Sequence, residues 1–312
     1  MMAALRFIGA ASLTYAAFKL FDYASFYLLP PASLARYRTT EDAWALVTGA
    51  SAGIGLGTAQ ELAARGFNVV LLGHLPAELD AAAALVRAER RAAQVRVVVL
   101  DAIASTPHEI EAALGPIAAL PVTVLVNNVG GFPIDEPTLR YLSDYTAEDL
   151  DRSLNINARF MAHVSRVLLP RLAENGPALV LNMSSASRMG IPWAAPYSGC
   201  KGFVISFTAS VAREMIAAGS EVDCVAIVPG DVHSQSNTLW LSPGSPDSRQ
   251  YAKAMLDRAP RAARRGWLEC APWFAHALGF ALLDILPGPA VLFLLTEFAK
   301  QKEAAARALK RA

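Results

Sequence analysis

The chain has 312 residues, 54% of them hydrophobic, which is enough for one large domain with a sizeable core. Its 28 basic and 27 acidic side chains nearly cancel, so bulk charge indicates no nucleic-acid partner. The cysteines at 200, 224 and 270 have no metal-ligand spacing, which argues against a zinc site or a disulfide framework and favours a reducing compartment.

The first predicted element is an apolar helix over Phe7–Leu29, roughly 35 Å long and therefore long enough to span a bilayer. No signal-peptide cleavage pattern accompanies it. Ser12, Tyr15, Lys19 and Asp22 fall on one helical stripe. This pattern favours a helix lying in the membrane interface, or a tilted span whose stripe is covered, over a lone lipid-exposed span. The alternative is a helix packed on the folded domain. Residues 1–39 are therefore a candidate membrane anchor.

Residues 40–270 alternate short apolar runs with helix-length segments, which predicts one domain. The runs are typical of strands buried on both faces, and they lie at 43–49, 68–73, 95–101, 122–128, 178–185 and 222–230. Predicted helices between them include Gly57–Arg65, Ala77–Arg91 and Thr146–Leu169. The alternation predicts an α/β fold, a Rossmann-type doubly wound parallel sheet with helices on both faces.

A glycine-rich loop, "TGASAGIGLG", follows the first predicted strand and opens a helix. Glycines at 49, 53 and 55 would let the backbone approach a pyrophosphate, and the helix N-terminus would supply N–H donors. Tight turns need glycine for steric reasons as well. Between a buried strand and a helix, however, this cluster indicates a dinucleotide-binding site.

The segment "PYSGCK" places the phenol of Tyr197 and the ammonium of Lys201 four residues apart. If Tyr197 opens a helix, Lys201 lies one turn later on the same face. A nearby cation stabilises a phenolate, so we expect Lys201 to lower the pKa of Tyr197 toward the range of a neutral-pH acid–base. Cys200 between them is expected to be a small packing residue.

The glycine loop is followed in order by "NNVG" at 127–130, "YSGCK" at 197–201 and "VPG" at 228–230. Together these motifs resemble the short-chain dehydrogenase/reductase family over about residues 43 to 235. The resemblance implies an oxidoreductase that interconverts a ketone and a secondary alcohol by hydride transfer. It further implies that Tyr197 is the proton donor and that Lys201 also holds the nicotinamide ribose.

The family also uses a serine that binds the substrate oxygen and an asparagine that holds a relay water. Spacing to Tyr197 favours Ser184, whereas the strand frame favours Ser185; we choose Ser185, because a loop loses a residue more easily than a buried strand shifts. In relatives the asparagine lies thirteen residues before the proline that ends its helix. That spacing from Pro170 selects Asn157 over Asn155.

The resemblance places the cofactor-binding residues in the glycine loop, after the fourth strand, in the catalytic motif and after "VPG". They are Gly49, Ser51, Ala52, Gly53, Ile54, Gly55, Asn128, Gly130, Tyr197, Lys201, Pro229, Gly230 and Val232. Asn127 is expected to hold the centre of the sheet. No metal ligand is expected.

The end of the second strand, "LLGH", carries no carboxylate that would repel a 2′-phosphate, so NADP(H) is favoured over NAD(H). Relatives often have an arginine where His74 stands; histidine would pair with the phosphate only partly, or it is a solvent-facing loop residue. Asp101 matches the family's adenine-contacting acid, with a helix N-cap as the alternative.

The region from "VPGDVHSQSN" to about Gly266 is expected to form the substrate loop and helix, as a mobile lid. Residues 271–312 form an apolar extension that ends in a basic helix. This extension either packs on the core or forms an apolar wall for a lipophilic substrate or a membrane-facing surface.

The apolar ends, together with "WALVTGASAGIG" and "RGFNVVLLG", resemble the microsomal very-long-chain 3-oxoacyl-CoA reductases and related hydroxysteroid dehydrogenases. This implies a lipophilic carbonyl or alcohol substrate and a site on the cytosolic face of the endoplasmic reticulum membrane, with a cytoplasmic location as the alternative. Two other functions remain open: reduction of a soluble secondary-metabolite ketone, and a catalytically silent NADP-binding scaffold or sensor. Relatives commonly form homodimers through the helices that would include Thr146–Leu169 and Lys201–Ala217.

Overall fold

The computed structural model describes residues 2–135, 137–235, 237–238 and 240–311. Within these residues seven strands form one parallel sheet in the order β3-β2-β1-β4-β5-β6-β7. Their bounds are β1 Trp44–Thr48, β2 Asn68–Gly73, β3 Val95–Val99, β4 Val122–Asn127, β5 Ala178–Met183, β6 Val222–Ile227 and β7 Glu269–Cys270. The predicted doubly wound fold is confirmed. The two-residue β7, which has too few residues for a recognisable pattern, was not predicted.

Ten α-helices lie in the described part of the chain. Their bounds are α1 Met2–Leu28, α2 Gly53–Ala64, α3 Pro76–Glu89, α4 Pro107–Ala118, α5 Ala147–Leu154, α6 Phe160–Asn175, α7 Ala195–Ala217, α8 Ser248–Arg264, α9 Phe274–Ile285 and α10 Gly288–Arg311. Between α5 and α6, Asn155–Arg159 form a π-helical turn. Such turns occur frequently at functional sites.

Helix α6 continues through Pro170 and ends at Asn175, so the prediction that this proline ends the helix is wrong. A proline inside a helix removes one backbone hydrogen bond. On either side of it, however, Leu168 and Leu172 are fully buried against the sheet. Tertiary packing therefore maintains the helix across the proline.

Apolar side chains cover both faces of the sheet, and α8 belongs to this core. Its residues Tyr251, Met255 and Leu256 are fully buried, and the helix packs against α2. The prediction that the lid includes this helix is therefore wrong, because its apolar residues recur at helical spacing toward the core. The remaining lid candidate is the loop before it, although Ser236 and Leu239 in that loop lie outside the described residues.

Helix α1 contacts the rest of the protein only through its last turns. Asp22 pairs with Arg265 at 3.1 Å, and Phe26 is buried against Trp267 with 4.6 Å between ring centroids. Arg261 donates to the carbonyl of Phe26 at 2.9 Å, which satisfies a helix-end acceptor. Residues 5–21 of the helix are exposed.

Among the described residues, no helix combines the length and the apolar character that a membrane crossing requires. This finding does not support the tilted-span interpretation of residues 7–29. Two charged side chains, Lys19 and Asp22, interrupt its apolar sequence, and the second of them is paired with the folded domain.

Helices α9 and α10 expose most of their large apolar side chains, so the expectation that the extension packs into the core holds only for a few positions. The buried residues of these two helices include His276, Ala277 and Ala299. The exposed ones are Phe274, Leu278, Leu282, Ile285, Leu292, Phe293 and Leu294, and Leu286 between the two helices is exposed as well.

Candidate active site

The glycine loop joins β1 to α2 and leaves room for a ligand's phosphates. Gly49 and Gly53 have positive φ angles of 65° and 56°, which favour glycine. At Gly55 a Cβ would lie 2.0 Å from the carbonyl oxygen of Gly49, so no other residue fits there. Because no side chain caps α2 at Ala52, the first N–H groups of this helix are available to an anion. The loop thus fits the pyrophosphate of a dinucleotide.

Asparagines at the end of β4 hold this loop and the sheet together. Asn128 donates through Nδ2 to the carbonyls of Thr48 and Gly49 at 3.1 and 3.2 Å, and its N–H donates to the Thr48 hydroxyl at 2.9 Å. Asn127 donates to Asn182 at 2.8 Å in the sheet interior. Asn128 therefore fixes the glycine loop against β4, while Asn127 lies at the sheet centre as expected.

Tyr197 and Lys201 lie one turn apart near the start of α7, at the carboxyl end of the sheet. Lys201 is only 3% exposed; its Nζ donates to the carbonyl of Met183 at 3.0 Å and lies 5.4 Å from the centroid of the Tyr197 ring. Burial lowers the pKa of Lys201 to about 8. The ammonium therefore lies over the phenol ring and is bonded to the backbone.

The expected net lowering of the pKa of Tyr197 is not met. Burial raises the pKa of Tyr197, and the nearby Ser185 hydroxyl opposes that rise in part. Desolvation of the phenolate is the largest effect.

The two serines after β5 face different partners. Ser184 is buried and its hydroxyl donates to the carbonyl of Lys201 at 2.7 Å. The Ser185 hydroxyl lies near enough to the Tyr197 phenol to oppose the rise in its pKa, and its Oγ accepts the N–H of Ser187 at 3.1 Å. The structure thus brings Ser185, and not Ser184, to the phenol.

Asn157 lies in the π-helical turn and holds the strand-end segment beside Lys201. Its Oδ1 accepts the N–H of Gly131 at 2.9 Å, and its Nδ2 donates to the carbonyl of Gly131 at 2.8 Å. A Cβ at Gly130 would lie 2.8 Å from Asn157 Oδ1 and 2.9 Å from Lys201 Nζ, so a glycine is required. Asn155 instead donates to the carbonyl of Ile103 at 3.1 Å, away from this cluster.

An aromatic side chain that sequence reasoning missed covers Tyr197. The rings of Phe132 and Tyr197 stack with centroids 4.4 Å apart, and Phe132 remains 40% exposed. Asn157 fixes the preceding Gly131, and Arg152 donates to the following carbonyl, that of Pro133, at 2.9 Å. Phe132 thus forms an apolar wall beside the phenol. Its position directly after "NNVGG" was the available signal.

The segment after β6 is shaped by a second residue that was missed, His276 of α9. Its Nδ1 accepts the N–H of Gly230 at 3.1 Å, and its Nε2 donates to the carbonyl of Asp231 at 2.9 Å. Burial lowers the pKa of His276. Pro229, Gly230 and the buried Val232 therefore form a fixed turn at the carboxyl end of β6. No local pattern could connect this turn to a residue 46 positions later.

Two predicted adenosine-side residues come after β2 and β3, on the side of β1 away from β4. His74 is exposed directly after β2. Asp101 is also exposed, and its Oδ1 accepts the N–H groups of Ile103 and Ala104 at 2.7 and 3.2 Å. Asp101 therefore closes a turn, whereas the N-cap of α4 is Thr106. The alternative that Asp101 is a helix N-cap is wrong, but its carboxylate still lies after β3.

Comparison with known proteins agrees with this arrangement. A family model described as short chain dehydrogenase matches residues 43–242. A very-long-chain 3-oxoacyl-CoA reductase of Scheffersomyces stipitis is 31% identical over 264 residues, which cover 81% of this chain and 74% of that protein.

Among solved structures, a 7β-hydroxysteroid dehydrogenase has a TM-score of 0.70 at 20% identity, covering 83% of this chain and 99% of that one. A short-chain dehydrogenase from Sphingobium yanoikuyae in complex with NADPH has a TM-score of 0.62 at 22% identity, covering 79% and 97%. The chain therefore belongs to the short-chain dehydrogenase family of oxidoreductases, which act on a CH–OH group or a ketone with a nicotinamide dinucleotide.

Proposed function

We propose that this protein is an NADPH-dependent reductase that converts the ketone of a lipophilic substrate, of the 3-oxoacyl-CoA class, to a secondary alcohol. The observation that carries this proposal is the phenol of Tyr197, with the ammonium of Lys201 over its ring and the Ser185 hydroxyl nearby. The glycine loop, which fits a dinucleotide, lies at the same edge of the sheet.

The bound cofactor supplies the hydride that adds to the carbonyl carbon. Tyr197 donates its phenolic proton to the carbonyl oxygen, and Ser185 donates a hydrogen bond to the same oxygen. Because burial raises the pKa of Tyr197, the phenol is protonated at neutral pH, as reduction requires. Lys201 stabilises the phenolate that forms and holds the nicotinamide ribose, while Asn157 orients the relay water through which the proton is replaced.

The substrate class rests on the named relative and on the apolar wall beside the phenol. The S. stipitis protein is a very-long-chain 3-oxoacyl-CoA reductase, similar to this chain over most of both lengths. Phe132 presents an exposed aromatic surface next to Tyr197, which suits an acyl chain better than a polar metabolite.

We also propose that the protein lies on the cytosolic face of the endoplasmic reticulum membrane. The support is the exposed apolar surface of α1, which includes Phe7, Ile8, Leu13, Phe18 and Phe21. An alkaline carbonate wash tests this: peripheral protein is released from microsomes, whereas recovery in the cytosolic fraction before the wash contradicts the membrane location.

Cofactor oxidation tests the reaction on a panel of 3-oxoacyl-CoAs of increasing chain length, steroids and small soluble ketones. We expect the highest kcat/KM with long 3-oxoacyl-CoAs. A preference for a small ketone would support the secondary-metabolite alternative. No turnover of any compound, with cofactor still bound, would support the silent scaffold.

Replacing the two serines distinguishes their roles. Ser185→Ala should lower kcat by about a hundredfold, because it removes a donor to the developing oxyanion. Ser184→Ala should lower the free energy of unfolding by about 0.5–1.5 kcal/mol, because it removes one buried hydrogen bond to the carbonyl of Lys201, and should spare most of kcat. Steady-state kinetics and thermal unfolding of both variants measure these effects. The reverse pattern would assign catalysis to Ser184.

The cofactor preference can be tested at His74. A carboxylate in His74→Asp should shift the NADPH-to-NADH ratio of kcat/KM toward NADH by about tenfold or more, because like charges about 4 Å apart cost about 1–4 kcal/mol near a surface. His74→Ala is the control that removes the imidazole without adding charge. A wild-type protein that already prefers NADH would contradict the proposed specificity.

A further inference from the structure

The C-terminal extension reaches the cofactor cleft through one buried carboxylate, that of Asp231. This residue directly follows Pro229 and Gly230 in the turn after β6, where cofactor-binding residues are expected. Its side chain is 7% exposed. Lys302 of α10, 71 residues further along the chain, binds its Oδ1 at 2.8 Å and is itself 18% exposed. The first residue of the substrate loop is thus paired with the last helix of the protein.

The same carboxylate organises the rest of the loop. Its Oδ2 accepts both the N–H and the hydroxyl of Ser242, at 3.1 and 2.6 Å, and its Oδ1 accepts from Asn237 at 3.3 Å. Lys302 also donates to Asn237 Oδ1 at 3.1 Å. The Asp231 carboxylate therefore joins both ends of the segment from Asp231 to Ser242, and Lys302 pairs with that carboxylate.

The ammonium of Lys302 lies over two aromatic rings. Its Nζ is 5.6 Å from the ring centroid of Phe298 in α10 and 5.9 Å from that of Trp240 in the loop. These rings meet edge to face at 5.6 Å. The loop is therefore held to α10 by packing as well as by charge.

This loop also lies against the glycine loop. The Cβ of Ser234 is 3.5 Å from the position that a Cβ at Gly53 would occupy, and Ser248 at the start of α8 donates to the carbonyl of His233 at 2.8 Å. Residues 233–234 therefore lie next to the N-terminus of α2, where the pyrophosphate fits. Lys302 therefore contacts Asp231, and the loop that begins at Asp231 contacts the glycine loop of the proposed dinucleotide site.

We infer that Lys302 is a positioning residue: its ion pair with Asp231 fixes the described loop residues 231–235, 237–238 and 240–242 beside the N-terminus of α2, so that α10 is part of the binding machinery. This inference rests on the proposed function, because that function places the dinucleotide beneath the loop. A buried ion pair by itself contributes little net stability, and a role in fixing one loop geometry accounts for its retention at this position.

Lys302→Met tests the inference, because methionine is an unbranched side chain of similar length that removes the charge. We expect amide hydrogen exchange in peptides from 231–242 to become about tenfold faster, with exchange in β4 unchanged. The dissociation constant of NADPH should rise about tenfold, and Lys302→Arg should restore most of the affinity. Lys300→Met is the matched control, since Lys300 is 56% exposed and pairs only with Glu297 among the described residues.

A double-mutant cycle distinguishes loss of the Lys302–Asp231 interaction from a general loss of stability. Asp231→Asn alone should weaken NADPH binding, and adding Lys302→Met should cost less than in the wild-type background, since the partner charge is already absent. Additive effects, or unchanged loop exchange in Lys302→Met, would overturn the inference. The exchange experiment uses protein without cofactor. A wild-type protein that binds neither NADPH nor NADH would therefore refute the proposed function while the loop contact was still tested.

Discussion

Tyr197→Phe is expected to lower kcat for ketone reduction by about a thousandfold, because it removes the proton donor and leaves the ring in place. The ring of phenylalanine can still stack on Phe132 and lie under the ammonium of Lys201. The variant should therefore fold and bind NADPH as the wild type does. Steady-state kinetics, with cofactor affinity measured by NADPH fluorescence, checks both parts of this expectation.

Phe132→Leu is a useful companion to that variant, because Phe132 touches the phenol without offering a proton. It should alter KM for apolar substrates far more than it alters kcat. If Tyr197→Phe kept wild-type kcat on the best substrate, another group would supply the proton, and the assignment of Tyr197 as the acid would be wrong.

Lys201→Met is expected to lower kcat by a hundredfold or more, because the phenolate that forms on proton transfer loses its stabilising cation. The same substitution should raise the free energy of unfolding at neutral pH. Burial lowers the pKa of Lys201 to about 8 in the folded protein, from an ordinary lysine value of 10.5. At neutral pH the wild type therefore bears the cost of a buried cation, which methionine removes.

The sign of the pH dependence follows from that difference. Between about pH 8 and 10.5 the unfolded chain binds the lysine proton and the folded chain has lost it. The free energy of unfolding contributed by this group therefore rises with pH across that window. Denaturant unfolding at several pH values should show this rise in the wild type and lose it in Lys201→Met. An identical pH dependence in the two proteins would contradict the burial of a titrating Lys201.

Local patterns in the sequence were enough to predict most of the fold. Six apolar runs bounded by turn residues predicted β1 to β6, because such runs are typical of buried parallel strands. Burial on both faces does not hold for β3, which lies at the edge of the sheet and is only partly buried. The glycine loop was placed correctly for a similar reason, since positive φ angles and the close approach of Gly55 to Gly49 leave no other residue possible. These features depend on a few neighbouring residues.

The features that could not be predicted depend on contacts between distant segments. The Lys201 ammonium is held over the phenol ring by its hydrogen bond to the carbonyl of Met183. The helical spacing of Tyr197 and Lys201 does not reveal this contact. The contacts of His276 with Gly230 and of Lys302 with Asp231 join residues 46 and 71 positions apart. The burial of α8, in contrast, could have been predicted from the sequence. Its apolar residues recur at helical spacing, although the polar residues in the same region suggested a lid.

The serine choice shows what strand geometry adds to motif spacing. The N–H of Ser184 still donates to the carbonyl of Ile227 at 2.8 Å, in continuation of the β5–β6 ladder. Successive side chains of a strand point to opposite sides. Ser184 therefore faces the Lys201 carbonyl, and Ser185 faces the phenol.

The most direct test of the central claim is hydride tracing with NADPH deuterated on the transferring position of its nicotinamide ring. With a long-chain 3-oxoacyl-CoA, the wild type should produce a 3-hydroxyacyl-CoA that carries deuterium at the carbinol carbon, as measured by mass spectrometry. Tyr197→Phe should bind the same cofactor and yield about a thousandth of that product in the same time. Equal deuterated product from both proteins, or none from the wild type on any ketone of the panel, would contradict the account.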